Sequence, residues 1–580
     1  MFSWILIVYT LILLLVSVLS FRKGFRNIFR TENRIPWFLA GFSIFLINPD
    51  TINVLTKMGI VAEEGYSGMW IFYSGVLGAG LLPILFAPLW SRLKFMTDNQ
   101  FILLRFTGRP AQILHLFRAI YVGYLVVALF IAQVFIGLSK LLIVFFDISY
   151  ARSFLVISVL LILIIAKNSL RLKVRTDFLN GMVYILAFAL GAFFVVKAYG
   201  GLPAIYARLN ASYTDYTRLF PASLDKSSFG SLPNVLVYFL IQWWSINVLD
   251  GAGPEAQRFM NTRGAFPAFK AAFMPLILFT LVFLLHSFVI DAGILMVNES
   301  ATDIPVINGR PDSEAGFISM YSQAMPGGLS ALVFLAFFVG FAAFLEATIN
   351  WGSGFLVVDV FRTYLFRKRS DRFYTLLSYT VMLVVGISGI FIAWYNTRLL
   401  GLQKFIFAMG AGVGPVFILR WFWWRINAWS QFTAMVASLF LAVGWDVLYN
   451  NSTVFHHFVN VQTSAFNLGF YALKIIYLTV LVSACWLTVT FITKADSMET
   501  LENFVKKVKP GGYWLGMNHG TRGLSRARLV LVAIYPVISI LPFIIIWAFK
   551  FGSRLQAWLM IPVWFALLWF TVHYMHRDER

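Results

Sequence analysis

The chain holds one cysteine in 580 residues, Cys485, so no disulfide can close within it and a CxxC-type metal site is excluded. Charge is scarce: Asp, Glu, Lys and Arg make up 12% of the residues, against 60% hydrophobic and a mean hydropathy of +0.79. A soluble domain cannot be built from such a composition. Gly/Ser linkers, low-complexity tracts and polar stretches long enough for a soluble domain are missing, so one membrane domain accounts for nearly the whole chain. No His/Glu metal spacing, phosphate loop or nucleophile–base pair rises above chance, which argues against an enzyme and calls for no cofactor and no metal. Acid is the scarcer charge, with 25 Asp and Glu against 46 Lys and Arg, and the net charge is +21.

Apolar runs of about 20 residues, the length that crosses a bilayer, recur roughly fifteen times: near 3–20, 36–60, 68–90, 111–143, 153–170, 177–198, 233–251, 271–296, 327–360, 374–396, 402–424, 430–449, 466–493, 528–549 and 555–575. The chain is therefore expected to be an all-α polytopic membrane protein. Its loops fall into two alternating sets. One carries Arg22, Lys23, Arg26, Arg30 and Arg34; Arg92, Lys94, Arg105 and Arg109; Arg171, Lys173 and Arg175; Arg258 and Arg263; Arg362, Arg367, Lys368, Arg369 and Arg372; and the basic segment 494–528. The other, with Glu63, Glu64 and the loops 199–232, 297–326 and 450–465, is poorer in bases. Basic loops stay on the cytoplasmic side. The charge excess thus reports topology, with the N-terminus outside and the C-terminus in the cytoplasm, and predicts membrane lipid and no nucleic acid as a partner. The first apolar segment has no basic residues before it and no small-x-small cleavage site after it, so it reads as a retained helix. Within 494–528, acids precede bases between Asp496 and Pro510, the pattern of a short capped helix.

Two interruptions stand out. The span from Leu39 to Leu55 is broken at its middle by Asn48-Pro49-Asp50-Thr51. Pro49 frees backbone carbonyls that need a partner, and an ionised side chain at the centre of a spanning helix costs roughly 2.5–3.5 kcal/mol unless it faces a cavity or a partner. Asp50 is expected either to face a cavity or to fix helix packing. The 233–251 span ends in Asp250-Gly251-Ala252-Gly253-Pro254, and its Gln242, Trp243 and Asn247 carry polar groups at membrane depth. Asp250, near the basic end, is placed to reach water or Arg258. His286 reads as a packed histidine rather than a proton relay.

Four ordered segments, Arg34–Ser43 (RIPWFLAGFS), Thr97–Pro110 (TDNQFILLRFTGRP), Asp250–Arg258 (DGAGPEAQR) and Asn350–Asp359 (NWGSGFLVVD), make the chain resemble the sodium:solute symporter family. RWFWWRINAW at 420–429 and VKKVKPGG at 505–512 are similar to a bacterial branch with extra C-terminal helices. The resemblance implies a LeuT-type fold of two inverted five-helix repeats, over 36–198 and 233–424, whose broken first helices meet at a central site. It also implies an organisation of 1–35 as an N-terminal transmembrane helix and basic loop, 36–425 as the transporter core, and 426–580 as about four further helices with the cytosolic segment. The substrate-facing residues would be Asn48, Asp50, Gln242, Trp243 and Asn247, with Asp250 and Arg258 as gate or structural residues.

In sodium-coupled members the family resemblance implies an ion cage of carbonyls from the first broken helix plus a carbonyl and two hydroxyl side chains on the ninth span. Counting back from Asn350 puts the hydroxyl positions at Ala343 and Phe344 and the carbonyl at Gly340, and the matching carbonyls of the first broken helix would come from about Leu46 and Pro49. Sodium needs oxygen ligands, as other hard cations do, and neither side chain supplies one. Glu346, two residues on, points about 200° away from Phe344 on a helix. It can be a proton-carrying carboxyl, sharing the ion-coupling role with Asp50, or an interhelical partner for Lys, Arg or an amide.

The expected function is a secondary transporter in a bacterial inner membrane. It would move a small polar solute by alternating access, coupled to a proton or another monovalent cation or to none. The alternative is a transporter fold kept as a sensor or scaffold subunit, with protein partners in a larger membrane complex.

Overall fold

The computed structural model describes residues 35–515 and 525–579, apart from 49, 167–169, 221–230, 246–249 and 301–303, with isolated positions before residue 30. The expected first helix over 3–20, most of the basic segment after it, Pro49 and Asn247 lie outside the described residues. So does the side chain of Asp50.

Among the described residues nine helices are long and apolar enough to cross a membrane, and two bent pairs meet the same test together. The only strands among the described residues are the two-residue pair Val306–Ile307 and Arg310–Pro311. Helices prevail because a backbone in hydrocarbon has to satisfy its own hydrogen bonds.

The first unit opens with α1 (Trp37–Ile47) and α2 (Asp50–Glu64), parted at Asn48. Asn48 is extended, and its Nδ2 donates to the Ile44 carbonyl at 2.7 Å, taking up one acceptor that the break releases. Then come α3 (Trp70–Leu81), which runs on through Pro83 to Ser91, α4 (Gly108–Phe146), α5 (Tyr150–Ala166) and α6 (Leu170–Ala198).

The second unit repeats the plan. Its first helix does not end at Asp250, as the sequence suggests. α7 (Leu232–Leu240) gives way to a tight turn at Gln242–Trp244, and the chain resumes as α8 (Pro254–Met260). Gly251 (φ +69°) and Gly253 (φ +101°) make the turn in left-handed conformations, and Pro254 starts α8 with its ring where no amide partner is needed. The helix therefore stops at Leu240, ahead of the Asp250–Pro254 turn at which the sequence ends it. α9 (Ala265–Glu299), α10 (Ser313–Ala324), α11 (Ser330–Gly354, prolonged to Leu365), α12 (Asp371–Trp394) and the pair α13 (Leu399–Gly410) and α14 (Gly414–Phe422), bent by 42°, follow.

Beyond them lie α15 (Ala428–Asn451), α16 (Thr453–Phe466), α17 (Phe470–Ile492), α18 (Met498–Val508), α19 (Arg526–Phe551) and α20 (Arg554–Asp578). α16 replaces the loop expected over 450–465. Ser452 caps its start by accepting from Phe455 N, and Asn467 in the left-handed region ends it. α18 is the capped helix anticipated after Asp496, with Ser497 as its cap.

α1 is clasped between α6 and α9, and α11 packs on α4 and α6. The approach of α11 to α2 is close enough that a Cβ on Gly340 would lie 2.1 Å from Thr51 Oγ1. That contact places the middle of α11 directly beside the break between α1 and α2.

Candidate functional site

Around the two breaks lies a cavity of about 320 Å³. Asn48 at the first break, Asn53 and Lys57 from α2, Glu255 from α8, Thr348 from α11 and Gln403 from α13 are among its polar residues. Aromatic side chains, including Phe72, Phe130, Phe279, Phe283, Phe344 and Phe407, make up much of the remaining wall. Lys57 follows Asp50 by two helical turns, and its Nζ sits 5.3 Å above the Phe283 ring, an arrangement that offsets part of the cost of a cation in an apolar wall. Glu255 occupies the first turn of α8, where the helix dipole favours negative charge. The Thr348 hydroxyl is buried without a hydrogen-bond partner and borders the cavity.

Of the residues singled out from the sequence, Asn48 borders this cavity. Gln242 and Trp243 do not: Gln242 Nε2 donates to the Ile71 carbonyl at 2.9 Å, and the Trp243 ring packs on that of Trp244 at an angle of 60°. Lys57, Glu255 and Thr348 escaped the sequence reading. Lys57 is the first basic residue after the Asn48-Pro49-Asp50 break, and that position is the signal that could have found it.

Gly181 of α6 faces Phe42 and Leu46 of α1, and Tyr184, one turn on, reaches Gly340 of α11. Ala343 is buried there, and the Phe344 ring lies 5.9 Å from that of Phe130 at the cavity edge. Phe344 thus places an apolar ring at that edge of the cavity.

Toward the Arg-rich end of the same helices sits a buried cluster of charge. Ser43 Oγ donates to Asp177 and accepts from Arg258 Nε at 3.0 Å; Arg258 Nη2 lies 3.9 Å from Asp177 and Nη1 donates to the Pro254 carbonyl at 2.9 Å. Lys173, one turn before Asp177 on α6, approaches Glu346 of α11 at 3.8 Å. Lys173 and Arg258 are counted as loop charges in the sequence, but both are buried inside the protein. Glu346 keeps a partly exposed side chain and pairs with Lys173, the interhelical-partner arrangement rather than an isolated carboxyl.

Asp250 and Arg258 do not pair with each other. Asp250 is bound instead by Arg420 of α14 and by Trp421 Nε1 at 2.7 Å, so the two sites are separate joints. The other motifs are joints as well. Thr97 Oγ1 donates to Asp359 at 2.8 Å, Asp98 receives Arg118 at 3.0 Å and Trp351 Nε1 at 2.9 Å, and Asn99 Nδ2 donates to the His115 carbonyl at 2.9 Å. His286 is packed among Phe188, Tyr184 and Phe317. Among the described residues no group of three or more His, Cys, Asp or Glu side chains is placed to hold a metal ion.

Helix breaks meeting at a largely apolar cavity with a few polar groups, in a bundle of membrane-length helices, define a secondary-transporter core. The chain belongs to the sodium:solute symporter family, whose model matches residues 28–438. It is 23% identical over 455 residues to the sodium/sialic acid symporter NanT of Aliivibrio fischeri, covering 72% of this chain and 82% of that protein. Over 136 residues it is 26% identical to the high-affinity proline transporter PutP of Bacillus subtilis, a match covering 23% of this chain and 29% of the relative. A sodium-coupled sialic acid symporter solved in a substrate-bound outward-open state superposes with a TM-score of 0.66 at 16% identity, over 85% of this chain and 98% of that one. The fold is therefore the LeuT-type core of this family, and these relatives are transporters, not enzymes.

Proposed function

We propose that the protein moves a small carboxylate-bearing solute across a bacterial inner membrane by alternating access around the cavity, without sodium at the family's conserved position. The observation that carries the solute class is Lys57, a cation bordering the cavity two turns into α2. Glu255 on α8 and the unpartnered Thr348 hydroxyl supply a second polar pole for a hydroxyl or ammonium on the same solute. The sialic acid and proline named for the relatives are both carboxylates, which agrees with this reading. Ala343 and Phe344 in the hydroxyl positions support sodium independence. Asp50, the first residue of α2, is proposed as the coupling charge, with the N-terminus outside and the C-terminus in the cytoplasm.

The test is uptake into proteoliposomes of a panel of radiolabelled organic acids and amino acids, N-acetylneuraminate and proline included, in sodium or choline medium with and without a pH gradient. Lys57→Gln is expected to raise KM at least tenfold for any carboxylate that wild type carries, because a charge-assisted hydrogen bond is worth about 1.5–3 kcal/mol. An unchanged KM in Lys57→Gln removes the carboxylate assignment.

A further inference from the structure

One wall of the cavity comes from outside the part of the chain that the family model matches. Tyr535, Ser539 and Phe543 of α19 border the cavity, whereas the match ends at residue 438. Their spacing of four residues puts them on one stripe of the helix. The stripe is fitted to the core, not leaned against it. The Tyr535 ring covers Gly80 of α3 so closely that a Cβ there would lie 1.7 Å from it, which only glycine permits. Phe543 packs at 4.8 Å on Tyr73 of α3 and at 4.6 Å on Phe283 of α9, and Phe283 is the ring beneath Lys57.

The helix is also fastened along its length. Near one end Lys550 Nζ donates to Asp291 of α9 at 2.6 Å, in a buried site where Tyr66 Oη donates to the same carboxylate at 2.5 Å. Trp547 Nε1 donates to the Thr217 carbonyl at 2.8 Å. Near the other end Arg528 pairs with Asp578 and Glu579, and Glu579 lies 3.5 Å from Arg92 at the end of α3. A buried pair such as Lys550–Asp291 is strongly destabilised when one partner is removed, so α19 is held in a defined register against α3 and α9.

We propose that α19 is a wall of the solute site and a determinant of its selectivity: Tyr535 and Phe543 present an aromatic face to the body of the solute, and Phe543 positions the Phe283 ring that holds Lys57. The solute this favours is a carboxylate with an apolar or ring-shaped body, short enough for a cavity of about 320 Å³. The solute class rests on the transporter reading above; the wall does not.

The experiment therefore has two arms. In a Cys485→Ser background, Phe543→Cys and Ser539→Cys are compared with Val537→Cys, whose side chain is 54% exposed on the outer surface of the same helix. The probe is a membrane-impermeant trimethylammonium thiosulfonate applied to membranes, with detergent melting temperature as the check on folding. At least one of the two stripe variants is expected to react tenfold faster or more than Val537→Cys. Stripe variants that fold yet react no faster than Val537→Cys overturn the wall. In the second arm, Phe543→Leu is expected to raise KM for a carried carboxylate fivefold or more at unchanged kcat, and Phe543→Tyr to restore it. Equal KM in Phe543→Leu and wild type overturns the selectivity role, and a panel with no carried solute fails the transporter reading while leaving the labelling result to decide the wall.

Discussion

Asp250 and Arg420 form a buried ion pair that joins the turn of the second broken helix to the end of α14. Arg420 Nε donates to Asp250 Oδ2 at 3.1 Å, its Nη2 donates to the same oxygen, and Trp421 Nε1 adds a third bond at 2.7 Å. Both side chains are fully buried, so removing one leaves the other desolvated and unpaired. Asp250→Ala is expected to cost about 3–5 kcal/mol, and Asp250→Asn less because the amide oxygen still accepts from Trp421. Detergent melting curves check this. A variant that melts like wild type but loses uptake would make Asp250 a gate instead of a joint.

Glu346 pairs with Lys173, and the consequence can be measured. Both lie where α6 and α11 meet, on the Arg-rich side of the degenerate cage, with Asp177 and Arg258 next to them. Lys173 is buried and Glu346 partly exposed. Lys173→Met is therefore expected to be tolerated better than Glu346→Gln, since the remaining carboxylate can turn to water whereas the remaining ammonium cannot. The double variant Lys173→Met/Glu346→Gln should be at least as stable as Glu346→Gln alone. A double variant less stable than either single one would show that the two charges do not act on each other.

The fold was legible because its signals are long and redundant. Apolar runs of membrane length, alternating basic loops and four ordered motifs all point to the same architecture. The site was legible only where a break is written in the sequence, as at Asn48-Pro49-Asp50. Lys57 and Glu255 were not, because a single charged residue in the sequence looks the same whether it faces water, lipid headgroups or a cavity. Lys173, Arg258 and Arg105 misled for a related reason. The positive-inside rule counts bases near helix ends without regard to burial, and all three are enclosed by tertiary packing. The first helix of the second unit was read as running on to Asp250 because the sequence stays apolar that far, whereas α7 stops at Leu240 and a tight turn follows at Gln242–Trp244. The motif residues themselves turned out to be ties between helices, so a family signature in this chain marks architecture more than substrate.

Arg105 and Asp496 give a pH-dependent contribution outside the membrane spans. Arg105 donates to the Arg420, Trp423 and Ile426 carbonyls at 2.8, 3.0 and 3.0 Å and faces Asp496 at 3.6 Å, tying the segment before α18 to the end of α14. Burial pushes the Asp496 carboxyl above its ordinary value even though Arg105 and the Thr107 amide pull it down. Burial likewise lowers Arg105 to about 10, so Arg105 stays charged at neutral pH. A carboxyl with a raised folded pKa binds its proton more tightly when folded. Its contribution is fully present below the unfolded value of about 4 and declines as pH rises through the raised folded value. Asp496→Asn, which retains an acceptor for Thr107 N, is expected to melt within about 1 kcal/mol of wild type at pH 7. It should also flatten the part of the melting profile just above pH 4. An undiminished slope in the variant would assign that titration to another group.

Sodium is the decisive ion for the transport reading. Leu46 and Gly340 both pack on α6, at Gly181 and Tyr184, but Ala343 has no side-chain oxygen and Phe344 packs toward Phe130. A hard cation losing two of its oxygen ligands to a methyl and a phenyl group gains nothing that offsets its dehydration. Wild-type melting temperature and uptake are accordingly expected to be the same in sodium and in choline at equal ionic strength. Ala343→Ser/Phe344→Ser restores both hydroxyls and removes the ring, and sodium should then stabilise the variant by RT ln(1 + [Na⁺]/Kd), about 2.7 kcal/mol at a hundred times Kd. Removing a phenyl group from a packed edge lowers the baseline stability by a few kcal/mol, so the comparison is sodium against choline within the double variant, not against wild type. Phe344→Ser alone controls for the opened space. Sodium-dependent uptake by the wild-type protein that is abolished by Gly340→Val would contradict the proposal outright. A double variant stabilised by sodium but not by lithium or potassium would place the lost site at these two positions.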